Sequence, residues 1–251
     1  MKIIYLPLRF SLLILHVIFG LIILIFYPVN NIDLKKIHHN ISLYWMKILV
    51  MIIGLKIIQK GNIDTLASAF VCNHVSFLDI IILNSLIPAN FIAKSEIKNW
   101  PIIGHLASKT GTIFIKRGDK DDIETMVGQM KSYLRRGKKI IFFPEGRIGD
   151  GITIKKFHSK LFNSISYTNS VLQSISIRYP KDYPNNLDSD SGMCWTGTSN
   201  MLIEIAIRCL SRRSTLVLIN FDKIFDTTNK SSYELAKLSS ESVCNSINNL
   251  R

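Results

Sequence analysis

Apolar residues run uninterrupted by charge from Phe10 to Tyr27, and Pro28 ends the run. As a helix they would span about 27 Å, close to the roughly 30 Å of a bilayer's hydrocarbon core. The residues that follow, Phe26-Tyr27-Pro28-Val29-Asn30, hold no small-residue cleavage site. The pattern therefore predicts an uncleaved anchor rather than a signal peptide, with a buried core helix as the competing reading. A second apolar stretch, Ile41 to Ile58, is interrupted by Lys47 and Lys56. The uncharged run between the two lysines is too short to span, and a lysine near mid-membrane costs roughly 2.5–3.5 kcal/mol. With Tyr44 and Trp45 at headgroup level and the lysines snorkelling, this stretch predicts an interfacial helix, or one docked on the domain that follows.

From about residue 65 the pattern changes. Leu66–Cys72, Phe91–Lys94, Thr112–Lys116, Lys139–Phe143, Val171–Arg178 and Thr215–Phe221 read as short apolar strands. Helical periodicity lies between them, clearest over Asp121–Arg136, where Ile123, Met126, Val127, Met130 and Leu134 repeat at 3.6 residues and Gly137 follows as a stop. Ser231-x-x-Glu234 reads as the capping box of a last helix. Tyr179–Gly192, rich in Pro, Asp, Asn and Ser, reads as a surface loop. Such alternation predicts an α/β domain with a mixed sheet flanked by helices, over residues 61–251, behind an N-terminal membrane-anchoring helical segment, residues 1–60.

Composition narrows the function. Hydrophobic residues make up 47% of the 251 and charged residues 20%, which excludes a disordered chain. Long apolar runs are confined to the first 58 residues, which excludes a polytopic transporter. The formal net charge of +13 calls for an anionic partner. The lysines and arginines are dispersed and no aromatic-interleaved basic patch occurs, so nucleic acid is not the expected partner. Cys72, Cys194, Cys209 and Cys244 form no C-x-x-C pair, which argues against a zinc ribbon or a disulfide framework.

Three strand ends carry candidate chemistry. Of the six histidines only His74 has an Asp five residues on, Asp79. Residues five apart in one straight helix diverge by about 140°. If His74 lies just before the first turn of a helix starting near Ser76, the carboxylate can fold back to hold Nδ1–H and leave Nε2 free as a base. Cys72, two residues before it, is a conceivable nucleophile but reads better as core. The second block, Gly111-Thr112-Ile113-Phe114-Ile115-Lys116-Arg117-Gly118, ends a strand in two cations suited to a phosphate. The third, Phe142-Phe143-Pro144-Glu145-Gly146-Arg147, supplies a tight turn, another cation and a carboxylate that can orient it or bind a hydroxyl. Strand carboxyl ends are where α/β sheets bind ligands.

Together these blocks resemble the 1-acylglycerol-3-phosphate acyltransferase (lysophosphatidate acyltransferase) family. Its N-H-x4-D stands here as Asn73-His74-Val75-Ser76-Phe77-Leu78-Asp79, its arginine-ended strand as Phe114–Arg117, and its F-P-E-G block as Phe143-Pro144-Glu145-Gly146, with Arg147 directly after. The resemblance covers roughly residues 60–225. Many members have Thr between that Gly and Arg, and Ser174 stands where the fourth block normally carries proline. The resemblance implies acyl transfer from acyl-CoA or acyl carrier protein to the free hydroxyl of a lysophospholipid, most simply 1-acylglycerol-3-phosphate giving phosphatidic acid. It implies His74 and Asp79 as catalytic pair, Arg117, Glu145, Gly146 and Arg147 as substrate-binding residues, and Asn73, Ser76 and Pro144 as motif support, with no metal and no cofactor beyond the acyl donor. It also implies a membrane location (the cytoplasmic membrane in a bacterium) with the catalytic domain facing the cytoplasm, although the flanking charges alone do not set an orientation. Another lysolipid acceptor, such as a lyso-ornithine lipid, or a non-catalytic lipid-binding protein of the same fold are the alternatives.

Overall fold

A computed structural model describes residues 2–26, 35–116, 120–194 and 201–249. Helix α1 (Lys2–Ile23) leads through a 3-10 turn to Phe26. Helix α2 (Lys36–Ile53) covers most of the second apolar stretch but stops where Gly54 takes φ +80, a left-handed cap that favours glycine. The rest of that stretch is a strand, β1 (Leu55–Lys60). Its Lys56 and Lys60 are exposed and Leu55 is buried, so what looked like a continued helix is an edge strand with two charged positions. The sheet thus begins before residue 61.

The strands β2 (Ala69–Cys72), β3 (Asn90–Lys94), β4 (Ile113–Ile115), β5 (Ile140–Phe142), β6 (Val171–Arg178) and β9 (Thr215–Asp226) follow. With β1 they form a seven-stranded sheet in the order β1-β9-β6-β2-β5-β3-β4, parallel throughout except where β6 meets β9. The sheet is mixed, as the sequence pattern predicts. Tyr179–Gly192 departs from that pattern. It holds a hairpin of β7 (Pro180–Asp182) and β8 (Asn186–Ser189), and Tyr179 and Pro180 are buried rather than exposed. The connecting helices are α3 (Leu78–Leu86), α4 (Ile103–Lys109), α5 (Lys120–Arg135), α6 (Met201–Ser211) and α7 (Ser232–Asn249). Ser231 and Glu234 form the expected reciprocal cap of α7.

Strand alternation divides the core in two. Along β2, Phe70 and Cys72 join the cluster built from α2, α3 and α6, whereas Ala69 and Val71 join the cluster built from α5 and α7. All four side chains are fully buried, which is why the strand reads as a continuous apolar run.

Helix α1 packs on α2 and α6. Its Arg9 is not a membrane-flanking charge. The guanidinium donates to the carbonyls of Ile53 (3.5 Å), Cys209 (3.3 Å), Arg213 (2.9 Å) and Arg212, which cluster where α2 and α6 end. A Cβ on Gly54 would lie 2.4 Å from Arg9 Nη2. Midway along, Trp45 stacks on His16 with ring centroids 4.5 Å apart, and its indole occupies the space a side chain at Gly20 would need.

A buried polar cluster ties β9 to β6 and α7. Asn220 Nδ2 donates to Ser246 Oγ (2.8 Å) and to Asp222, and the Ser176 and Ser246 hydroxyls bond at 2.7 Å. Burial pushes the Asp222 carboxyl up to about 6, with the hydroxyls and amide pulling the other way. The folded chain therefore holds this proton over a range where the unfolded chain has released it, and stability falls as pH rises from about 4 to about 6. Asp222→Asn is expected to remove that fall and to raise stability at pH 7 by about 1–2 kcal/mol, discounted for partial exposure. Melting curves of both proteins between pH 4 and pH 7 measure it; parallel curves would contradict it.

Candidate active site

The parallel strands β2, β5 and β3 end on the same side of the sheet, and the first and third sequence blocks meet there. Asn73 extends β2 by one pseudo-rung. Its Nδ2 donates to the Ile177 carbonyl (3.0 Å) and its Oδ1 accepts from the Ile177 amide (2.8 Å), so the side chain continues the ladder to β6. This fixes the chain just before His74.

Residues 74 to 77 then wrap around a carboxylate at the start of α3. Asp79 Oδ2 accepts from His74 Nδ1 (2.8 Å), from the Val75 amide (2.7 Å) and from the Ser76 amide (3.0 Å). Asp79 Oδ1 accepts from the Tyr179 hydroxyl at 2.6 Å. The carboxylate has no solvent exposure, while 13% of the His74 side chain reaches solvent. Because two backbone N–H groups already point at Oδ2, that oxygen presents lone pairs and His74 Nδ1 is the donor. The remaining nitrogen, Nε2, then carries a lone pair. The Phe143 ring stacks on the imidazole at 4.0 Å, and Phe91 lies 6.5 Å beyond it.

Pro144 is buried, and its carbonyl accepts from the His158 amide. Gly146 has φ +68, a conformation a side chain would strain. Glu145 departs from the substrate-binding reading. It is 3% exposed, its Oε1 accepts from the His74 amide (2.7 Å) and its Oε2 from the Lys155 amide (2.9 Å). Burial raises its pKa, and those two bonds oppose the rise. Both oxygens thus accept from backbone amides, and among the described residues Glu145 forms no ion pair with Arg147. It binds the His74 segment to the loop that leads to Lys155. The Gly149 amide closes the same loop onto the His74 carbonyl at 2.7 Å.

Arg147 is exposed beside this turn, and Arg117 lies outside the described residues. Ser76 is buried, and its amide rather than its hydroxyl meets Asp79. Cys72 is fully buried, its thiol donates to Asn73 Oδ1 (3.8 Å), and burial pushes its pKa well above the usual thiol range. It is core, not nucleophile. Among the described residues no group of three His, Cys, Asp or Glu is placed to hold a metal ion.

Residues 56–178 match the family model described as Acyltransferase. Over that stretch, just under half of its length, the chain is similar to acyltransferases. It is 31% identical over 151 residues to a lyso-ornithine lipid O-acyltransferase of Pseudomonas aeruginosa, a match covering 60% of this chain and 58% of that one. It is 38% identical over 107 residues to a 1-acyl-sn-glycerol-3-phosphate acyltransferase of Neisseria gonorrhoeae, covering 43% and 42% respectively. The chain spans about half the length of these curated relatives. Its fold matches the crystal structure of the 1-acyl-sn-glycerophosphate acyltransferase of Thermotoga maritima with a TM-score of 0.69 over 100% of this chain and 98% of that one, at 17% identity.

Two contacts of this site were not legible in the sequence. Tyr179, one hundred residues from Asp79, is the first residue after β6, and burial together with the Asp79 charge keeps its hydroxyl protonated. An aromatic directly after an apolar strand was the available signal, masked by the polar residues that follow. Phe143 was visible only as motif spelling, and its stacking on the imidazole needed the β2–β5 pairing.

Proposed function

We propose that the chain transfers an acyl group from a thioester, acyl-CoA or acyl carrier protein, to the free hydroxyl of a lysolipid, with 1-acylglycerol-3-phosphate as acceptor. The observation that carries this is the His74–Asp79 pair at 2.8 Å, with a fully buried carboxylate and a partly exposed imidazole. His74 Nε2 removes the acceptor's hydroxyl proton as its oxygen attacks the thioester carbonyl. The C–O bond forms, the C–S bond breaks and the thiolate leaves, taking up a proton from the imidazolium. Asp79 holds the productive tautomer and stabilises the imidazolium. Arg147, exposed beside the site, and Arg117 supply cations for the acceptor phosphate.

The same reading gives α1 a purpose. Tyr5–Phe26 has a mean hydropathy of 2.6 and is long and apolar enough to cross a membrane, with only 17% buried in the fold. Leu8, Phe10, Leu15, Ile18, Phe19 and Ile22 face outward. Leu13 of α1 and Phe143 of the site pack on one core cluster, so the apolar helix and the imidazole serve the same face of the sheet. An enzyme held at the bilayer meets its acceptor without exposing acyl methylenes, each worth about 0.8 kcal/mol. High salt is expected to weaken vesicle binding without abolishing it, since basic residues add roughly 1 kcal/mol each at an anionic surface. Complete release by salt in a flotation assay would show that the apolar helix is not embedded.

A lyso-ornithine acceptor is the second reading, favoured by the relative from Pseudomonas aeruginosa. Assay of the detergent-purified protein against lysophosphatidate, other lysophospholipids and lyso-ornithine lipid, each with both donor types, separates them. Turnover with lysophosphatidate in clear excess is the expected result. Preference for lyso-ornithine lipid would reassign the acceptor, and no transfer to any lysolipid would overturn the function.

A further inference from the structure

The connection after β3 is built oddly for a surface loop. Trp100, Ile102 and Ile103 are exposed by 41%, 45% and 49%. Ile102 has φ +64 and ψ −63, a conformation that β-branched residues rarely adopt. The Ile103 amide closes this turn on the Pro101 carbonyl at 2.7 Å. Beneath it, Gly104 lies so close to the backbone that a Cβ would sit 2.2 Å from the Lys98 carbonyl oxygen. The turn is thus tightly packed on its inner side and strained at Ile102, and three large apolar side chains are exposed on it. Strain of this kind persists where function uses it.

What these side chains meet follows from their surroundings. Leu106 lies three residues after Ile103 and four after Ile102, on the same side of the short helix α4. Leu106 packs against Leu24, at the end of the apolar N-terminal segment, beside Leu21 and Ile41. The exposed turn therefore continues the apolar surface of α1. Its rim is basic: residues 94 to 109 contain Lys94, Lys98 and Lys109 against the single carboxylate of Glu96. Apolar tips including a tryptophan, with lysines around them, match the interface of an anionic bilayer. The turn also lies on the side of the sheet where β2 and β5 end, since β3 runs parallel to them. It follows β3, whose Phe91 stacks towards Phe143 and hence His74.

We propose that the Trp100–Ile103 turn is a second membrane contact, inserting into the leaflet that receives α1 and holding the mouth of the active site against an anionic bilayer. This rests on the proposed action at a membrane but assigns a separate surface. It adds a second point of attachment to that of the docked helix α1 and presents His74 to lysolipid still embedded in the leaflet.

The test keeps Trp100 as sole tryptophan by Trp45→Phe and Trp195→Phe in the full-length protein. Vesicles of phosphatidylglycerol and phosphatidylcholine carrying dibrominated acyl chains are expected to quench and blue-shift Trp100. The triple variant Trp100→Ser/Ile102→Ser/Ile103→Ser is expected to lose about tenfold in turnover of long-chain lysophosphatidate embedded in vesicles. Its turnover of a short-chain, water-soluble lysophosphatidate should stay unchanged, which also reports an intact fold. Unquenched Trp100 in protein that floats with the vesicles would overturn the proposal, as would an equal loss on both substrates. Protein that does not float overturns the membrane reading and this proposal together. Absence of turnover in the parent overturns the acyl-transfer reading alone, and quenching still decides the second contact.

Discussion

His74→Ala is expected to abolish acyl transfer while leaving the chain folded. Without the imidazole no group replaces Nε2: Asp79 is fully buried behind the ring, Glu145 has both oxygens on backbone amides, and Cys72 lies in the core. A general base contributes typically 10²–10⁴-fold, or about 3–5 kcal/mol of barrier, and the variant should lose at least that. The fold has little reason to fail. Asp79 keeps its bonds from Val75, Ser76 and Tyr179, and the His74 amide and carbonyl keep theirs to Glu145 and Gly149. Losing the ring's stack on Phe143 and one hydrogen bond costs about 1–2 kcal/mol, a fall of a few degrees in melting temperature. Steady-state turnover and a melting curve on the same preparation measure both. Turnover near that of the parent protein would remove His74 from the mechanism.

How far the sequence carried the interpretation differs from residue to residue. His74 and Asp79 were legible because their contact is local: a turn between strand and helix lets residues five apart meet, and no other histidine has such a partner. The central strands β2 and β5 were legible because they are buried on both faces and read as apolar runs. Strand β1 was not. It continues an apolar helix without a polar break, and only Gly54 separates them. The partners of Glu145 were not legible for a related reason. Its neighbour in the sequence is Arg147, but its hydrogen-bond partners are amides 71 residues before it and 10 after it. Tyr179 went unnoticed because pairing β6 with β2 is what carries it to Asp79. Periodicity identifies strands; it does not say which strand ends meet.

Asp79→Asn is the sharper test of how the pair works, because its outcome depends on which way the new amide turns. If Nδ2 replaces Oδ2, it faces the Val75 and Ser76 amides, two donors that cannot reverse. If it replaces Oδ1, it faces only the Tyr179 hydroxyl, which can rotate and accept instead. The second orientation is expected, so His74 keeps its tautomer and loses only the negative charge that stabilises the imidazolium. Activity should fall by about 10²–10³-fold, short of the roughly 10⁴-fold loss where neutralising such a carboxylate also imposes the wrong tautomer, with a stability loss near 1 kcal/mol. Tyr179→Phe alone removes one of four bonds to the carboxylate and should cost about tenfold or less. Combined with Asp79→Asn it leaves a buried NH2 without an acceptor, so the double variant should be less stable than the two single losses together predict, by about 1–2 kcal/mol. Asp79→Ala strands two backbone amides and a hydroxyl in the core and should cost about 3–5 kcal/mol. Turnover and denaturation of the four variants form one experiment. Asp79→Asn within threefold of the parent's turnover would mean that the buried carboxylate only builds the turn, and that the imidazole acts without it.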